Sequence, residues 1–124
     1  MKRELEEKLY QQFLWLDATP IECDDGWYQL IYGLCQEIDM ELKNCDADFV
    51  EGFFVEQIKE KFASLRFYTT YVNDSIYQLI EGAETKSKSI CELCGNNGYI
   101  CIHGHYIKTL CDKCKDDNGF VDVS

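Results

Sequence analysis

The sequence of 124 residues contains one proline, Pro20, and only 8 glycines. This composition argues against a disordered chain, because disordered segments are enriched in proline, glycine and charge. The sequence also lacks an apolar run of the roughly 18 residues that a membrane-spanning helix needs. Residues 1–7 are too acidic for a signal peptide. These absences predict a small, folded, cytoplasmic protein without membrane association.

Basic residues are scarce, since 12 Lys and Arg stand against 23 Asp and Glu, and the net charge is −11. The imbalance is greatest in residues 17–60, which hold twelve acids and two lysines. A field of this sign repels phosphate backbones, so direct binding of nucleic acid is unfavourable. The same acids suit a protein partner with a basic, nucleic-acid-binding surface. The candidate partner-binding residues are Asp24, Asp25, Asp46, Asp48 and Glu51.

Cysteine is abundant, and four of the 8 cysteines form two Cys-x-x-Cys pairs. The second pair, Cys111 and Cys114, follows Cys91 and Cys94 after 16 residues, a spacing typical of four-cysteine zinc sites. Gly95 directly after the first pair suits the sharp turn that such a site needs. Four thiolates close the tetrahedron around Zn²⁺ and leave no position open for a substrate. The sequence therefore predicts a structural zinc ion held by these four cysteines.

The remaining cysteines and the two histidines are weaker candidates. Cys101, His103 and His105 lie between the two pairs and are possible rival ligands, but we expect the histidines to be exposed residues of a turn. A catalytic base would need a nucleophile or an orienting carboxylate nearby, and the sequence offers neither. Three other cysteines lie in the acidic part of the chain, where a negative field raises a thiol pKa and makes the thiol inert. These are Cys23, Cys35 and Cys45. The sequence thus predicts a protein that is not an enzyme.

Hydrophobic periodicity predicts helices over residues 2–15, 27–43 and 75–86. Residues 27–43 have the most regular apolar face and should form the central core helix. Asp24 or Asp25 should cap its first turn, and Asn73 or Asp74 should cap the third helix. Residues 44–52 are expected to form an acidic loop.

Residues 53–71 are compatible with a helix or with a β-hairpin. The second half is rich in β-branched and aromatic residues, which favours the hairpin. Basic residues in this segment alternate with aromatic ones: Lys59, Lys61 and Arg66 with Phe62, Phe67 and Tyr68. They could form a small nucleic-acid platform, but we favour core aromatics and cations paired with Glu56 and Glu60.

The last part of the chain should form a separate unit. Residues 98–103 and 105–111 are predicted strands with Gly104 at their turn, and residues 86–89 resemble a linker. The predicted fold is therefore α+β: N-terminal helices with a β-hairpin and a third helix, then a C-terminal four-cysteine zinc ribbon. The predicted divisions are an acidic domain over 1–86, a ribbon over 90–115 and a tail over 116–124, which is expected to be frayed unless Phe120 and Val121 fold back onto the acidic domain.

Three motifs in this order resemble a group of small phage and prophage zinc-ribbon proteins. They are Glu22-Cys23-x-Asp25-Gly26-Trp27, then Lys59-Glu60-Lys61-Phe62-x-x-Leu65-Arg66-Phe67-Tyr68, then the two Cys-x-x-Cys pairs. The resemblance covers about residues 20–115. It implies a turn between strands at Ala63-Ser64 and a mobile-element context, and it implies no activity.

Two hypotheses about function follow. The first is a non-enzymatic inhibitor of a host defence or nucleic-acid-handling machine, of the anti-CRISPR or anti-restriction kind, whose acidic surface imitates nucleic acid. The alternative is a zinc-ribbon regulator that contacts nucleic acid or RNA polymerase.

Acid pairs such as Asp24 and Asp25 lack the spacing of a calcium loop, so a cation site there is not expected.

Overall fold

A computed structural model describes residues 1–123. The chain is α+β, as the sequence predicts, with five α-helices and two three-stranded sheets among these residues. The helices are α1 (Arg3–Gln12), α2 (Tyr28–Leu42), α3 (Ala47–Glu51), α4 (Asp74–Ser87) and α5 (Asp112–Asp117). The strands are β1 (Ile21–Glu22), β2 (Val55–Lys61), β3 (Ser64–Thr69), β4 (Tyr99–His103), β5 (Tyr106–Leu110) and β6 (Val121–Asp122). Within residues 1–123, no helix is both long enough and apolar enough to cross a membrane.

The hydrophobic core is built around α2, as its periodicity predicts. The side chains of α2 that are withdrawn from solvent are Ile31, Leu34, Cys35, Ile38 and Leu42. They pack in one cluster with Trp27, with the inner face of the first sheet and with α1 and α4. We call residues 1–87, which hold this cluster, the body.

The predicted caps are right for α4 and wrong for α2. Asn73 caps α4 by accepting a hydrogen bond from the Ile76 N–H at 2.8 Å. At α2 a 3₁₀ turn, Asp25–Trp27, precedes the helix, and no side chain caps it. The 3₁₀ turn provides an acceptor for a backbone N–H group at the start of the helix instead, since the Trp27 N–H donates to the Asp24 carbonyl at 3.3 Å. A backbone that already closes its own turn needs no carboxylate cap.

The predicted acidic loop over residues 44–52 contains a helix. Asp46 caps α3 by accepting from the Phe49 N–H at 2.8 Å. Phe49 then contacts the ring of Phe53, with ring centroids 6.1 Å apart. The sequence signal for this helix is the capping Asp46 alone. The helix is little more than one turn long, which is too short to show a hydrophobic period.

The hairpin over residues 53–71 is confirmed, and its turn lies one residue earlier than the resemblance implies. Strands β2 and β3 are antiparallel, with Lys61 opposite Ser64, so the turn residues are Phe62 and Ala63. Both have positive φ, 51° and 67°, as a two-residue type I′ turn requires. Ser64 is therefore the first residue of β3 and not part of the turn.

The first sheet has the order β1–β2–β3, with β1 parallel to β2. The open edge of β3 is covered by α4. The Leu65 N–H donates to the Ser87 hydroxyl at 2.8 Å, and the Phe67 N–H donates to the Glu84 carboxylate at 3.0 Å. These side chains occupy the donors that another strand would use, and so they protect the edge against aggregation.

The second sheet has the order β5–β4–β6 and lies in what we call the C-terminal unit, residues 90–123. Strands β4 and β5 form a hairpin, with the predicted Gly104 in its turn at a φ of 62°. The expected frayed tail is wrong. Helix α5 follows β5, and β6 returns to pair with β4, so that Ile102 lies opposite Val121. Phe120 makes the return possible because it packs against the small core of this unit.

Candidate metal centre

The two Cys-x-x-Cys pairs meet at one end of the second sheet. The first pair lies in the turns before β4, and the second lies at the end of β5 and in α5. The four Sγ atoms of Cys91, Cys94, Cys111 and Cys114 all lie within 4.8 Å of one another. Among residues 1–123, no other group of three or more His, Cys, Asp or Glu side chains is this compact. These four cysteines can hold a metal ion.

A backbone N–H group favours the thiolate of one cysteine at this site, Cys111, whereas burial and the hydrogen bond to Cys111 raise the pKa of Cys114. Cys111 is the N-cap of α5, and its Sγ accepts a hydrogen bond from the Cys114 N–H at 3.4 Å. This bond, together with the neighbouring thiols, lowers the pKa of Cys111 to about 7. Gly95 has a φ of 86° and donates its N–H to the Cys91 carbonyl at 2.9 Å, forming the sharp turn predicted from sequence. The thiolate is the form that binds metal, so the local backbone prepares Cys111 for that role.

The rival ligands lie elsewhere. Cys101 is fully buried, and its Sγ donates to the Tyr99 carbonyl at 3.2 Å. His103 is exposed, and its ring contacts the ring of Phe120 edge-on at 5.3 Å. His105 is exposed in the turn after β4. None of the three belongs to the four-sulfur cluster.

The metal centre is anchored to the body through the backbone of its first pair. The Gly26 N–H donates to the Glu92 carbonyl at 2.7 Å, and the Trp27 Nε1–H donates to the Ile90 carbonyl at 2.8 Å. A Cβ at Gly26 would overlap the carbonyl oxygens of Cys91 and Glu92. Only glycine allows the two backbones to approach this closely.

A buried charge pair reinforces the contact. The Glu92 side chain is 1% exposed and accepts from the Lys108 ammonium at 3.0 Å and from the Asp24 N–H at 3.1 Å. Burial raises the pKa of Glu92, and Lys108 opposes that shift. On the opposite side of β5, the Thr109 hydroxyl donates to the Ala63 carbonyl in the hairpin turn at 2.7 Å. The predicted acidic domain and the predicted ribbon are therefore joined by a buried, hydrogen-bonded contact.

Sequence reasoning missed the residues that make this contact. Gly26 is part of the first motif that carries the resemblance, and no sequence pattern gives a role to Glu92, Lys108 or Thr109. Glu92 is one of the two unspecified positions of a Cys-x-x-Cys pair, where a charge usually faces water. Its burial depends on a body surface far along the chain, and no local pattern contains that information.

The remaining cysteines have the environment expected of inert thiols. Burial, more than the nearby Glu92 carboxylate, raises the pKa of Cys23 to about 12. Burial also raises the pKa of Cys35, which is 0% exposed. Cys45 is half-buried and donates to the Glu41 carbonyl at 3.5 Å.

The five candidate partner-binding acids do not form one cluster. Asp24 and Asp25 precede α2, and Asp46, Asp48 and Glu51 follow it. The 15 residues of α2 separate the two groups by about 22 Å. Asp24 lies 3.9 Å from the Lys108 ammonium, and Asp25 accepts from the Lys2 N–H at 2.7 Å. The first group is thus engaged within the protein, and the second is exposed.

Comparison of the chain with protein-family models, with curated proteins and with solved structures finds no match.

Proposed function

We propose that the four cysteines bind a structural Zn²⁺ and that residues 90–115 are a zinc ribbon. With Zn–S bonds of about 2.3 Å, tetrahedral geometry separates the sulfurs by about 3.8 Å. The Sγ atoms of Cys94 and Cys111 are 3.6 Å apart, close to that separation. All four donor atoms are sulfur, and such a ligand set binds zinc in preference to magnesium or calcium. Four protein ligands fill the tetrahedron, so this ion would stabilise the fold and would not activate a substrate.

We further propose that the protein acts without catalysis, by binding a host protein that handles nucleic acid. In this proposal, its acidic surface occupies the partner's basic channel as an imitation of phosphate rows, and the protein works as an inhibitor in a phage or prophage context. Long-range attraction between opposite charges would make association fast and sensitive to salt.

One observation carries this proposal: the acids that follow the middle of α2 are not neutralised within the chain. Among residues 1–123, the ion pairs formed by the twelve acids of residues 17–60 involve only Asp24 and Asp25. The acids left without a cation include a group that we call the distal acidic face: Glu37, Glu41, Asp46, Asp48 and Glu51. Glu37 and Glu41 lie on the second half of α2, and the other three lie on α3 or at its N-cap. We therefore assign partner binding to this face and no longer to Asp24 and Asp25.

The experiment is capture of bacterial lysate proteins on the immobilised, zinc-loaded protein, followed by elution with duplex DNA. An imitation of nucleic acid predicts that DNA releases the captured protein and that the released protein binds DNA by itself. The variant Asp46→Asn/Asp48→Asn/Glu51→Gln removes three charges and should abolish capture. Asn remains a good N-cap, so α3 should persist.

A charge-matched control is Glu4→Gln/Glu81→Gln/Asp116→Asn, which removes three exposed acids outside this face. It should capture the same protein. Equal capture by both triple variants, or a captured protein that DNA cannot displace, would exclude the distal acidic face as an imitation of nucleic acid.

A further inference from the structure

The outer face of the first sheet has the opposite charge to the rest of the protein. Strand alternation turns Ile58, Leu65 and Phe67 into the core, where each is at most 3% exposed. The neighbouring side chains project from the other face. We call four of them, together with Phe62 in the adjoining turn, the cationic sheet face: Lys59, Lys61, Arg66 and Tyr68.

The cations of this face have no partners within the chain. Among residues 1–123, Lys59, Lys61 and Arg66 form no ion pair, contrary to the expected pairing with Glu56 and Glu60. The Glu60 carboxylate accepts from the Ala63 N–H at 2.9 Å instead. The Nε of Arg66 is buried without a hydrogen-bond partner. An unsatisfied buried donor is uncommon in a folded protein and requires an explanation.

Two of these cations lie opposite each other in the sheet, and Lys59 also has an acidic neighbour, Glu22, on β1. Lys59 and Arg66 are direct cross-strand partners in the β2–β3 register. Like charges placed directly opposite each other destabilise a sheet. Glu22 offsets part of this cost, and a bound anion would remove the rest because it would neutralise Lys59 and Arg66 at once.

Aromatic rings accompany the cations. Phe62 in the turn is 68% exposed, and Tyr68 is 42% exposed. The Lys61 ammonium lies 5.6 Å from the centre of the Phe62 ring. Exposed rings interleaved with cations form the surface on which single-stranded nucleic acid binds, because bases stack on the rings while phosphates contact the cations.

We propose that the cationic sheet face binds single-stranded nucleic acid. Charge complementarity requires an anionic occupant, and the exposed rings favour one with flat aromatic groups over an acidic peptide. This inference goes beyond the proposed function, which uses the distal acidic face. The seven residues of β2 place Lys61 about 20 Å from the end of the strand that α3 precedes. At about 0.15 M salt the screening length is about 8 Å, so the distal acids do not prevent a contact at the Lys61 end of the face.

The test measures fluorescence anisotropy of a labelled oligothymidylate of about 15 nucleotides, within the usual site size of such proteins. Three cations on phosphates predict that the logarithm of the binding constant falls with the logarithm of salt concentration with a slope of about −2. Lys59→Gln/Lys61→Gln should reduce that slope to about −0.7. Tyr68→Ala should weaken binding on the order of tenfold, and Tyr68→Phe should preserve it because the ring remains.

Two further variants separate this proposal from a general effect of charge. Glu22 lies beside Lys59 in the β1–β2 register, so Glu22→Gln should tighten binding. Lys86→Gln/Lys88→Gln removes two exposed lysines near the end of α4 and should have no effect. A protein that does not bind the oligonucleotide at low salt overturns the proposal. Competition by polyglutamate that is equal to competition by unlabelled oligonucleotide, with no effect of Tyr68→Ala, also overturns it and assigns the face to an acidic protein segment. Thermal melting of each variant establishes that it is folded.

Discussion

The body and the C-terminal unit differ in what holds them together. The body buries a cluster of nineteen apolar residues, and the C-terminal unit buries four, of which Cys91 and Cys111 belong to the metal centre. About 30 residues cannot bury enough apolar surface to fold without a metal, a disulfide or a docking surface. The C-terminal unit has both a candidate metal centre and a docking surface on the body. The difference predicts that the body folds without metal, whereas the C-terminal unit depends on the metal centre, on its docking surface or on both.

Loss of the metal centre should have the largest effect. Structural zinc contributes on the order of 10–16 kcal/mol in small zinc domains, so Cys111→Ser/Cys114→Ser should unfold the C-terminal unit. Amide hydrogen exchange would show protection lost in β4, β5 and β6 and kept in α2. Cys45→Ser, a half-buried cysteine outside the cluster, should keep protection in both regions. Retained protection in β4 would mean that docking on the body suffices without metal.

A methyl group at the contact should have the next largest effect. Gly26→Ala places a Cβ against the backbone of Cys91 and Glu92, and overpacking of this kind costs about 1–3 kcal/mol. The expected result is a lower free energy of unfolding and faster exchange in the C-terminal unit than in α2. Gly82→Ala is the matched control, because nothing lies within 4 Å of its Cβ on α4. It should stabilise the protein by about 0.5–1 kcal/mol through helix propensity.

Alkaline pH should reduce the stability that the buried thiols of the body give to the fold. Burial raises the pKa of Cys23 from 9.0 to about 12, so this thiol stabilises the fold fully below pH 9. That stability is lost as pH rises from 9 towards 12, because the unfolded chain ionises first. The difference in stability between the wild type and Cys23→Ala should therefore narrow by about 1 kcal/mol between pH 9 and pH 10, because the unfolded thiol is only half ionised at pH 9.

The difference in the free energy of unfolding between the wild type and Cys35→Ala should also narrow at alkaline pH, because burial raises the pKa of Cys35 as well. The measurement is urea denaturation at each pH. A difference that stays constant between pH 8 and pH 10 would contradict the raised pKa of Cys23.

The long elements of the body could be predicted from local patterns, and the contact between the two regions could not. The apolar face of α2, the cap at Asn73 and the alternation of β2 and β3 are periodic or nearest-neighbour signals. The spacing of the four cysteines likewise identified the metal centre. The roles of Gly26 and Glu92 depend on two segments that lie more than 60 residues apart in sequence. The return of β6 to β4 was missed because two residues are too few for alternation to reveal.

A substitution in the turn of the first hairpin should have the smallest effect on stability. It also tests whether a turn residue contributes to the proposed nucleic-acid face. Phe62 has a φ of 51°, in the left-handed region, where asparagine is favoured over a bulky ring. Its side chain is 68% exposed, so little packing is lost on replacement. Phe62→Asn should therefore stabilise the protein by about 0.5–1 kcal/mol, measured by urea denaturation.

The same change should weaken binding of the oligothymidylate, because it removes a stacking ring. Tyr106→Asn is a matched control: this ring is 71% exposed in the neighbouring hairpin but lies in the extended strand β5. It should bring no gain in stability, since asparagine is disfavoured in strands. Strained residues often persist where function requires them. If Phe62→Asn stabilises the protein and leaves binding unchanged, then Phe62 is not part of the binding surface and its strained backbone has no functional reason.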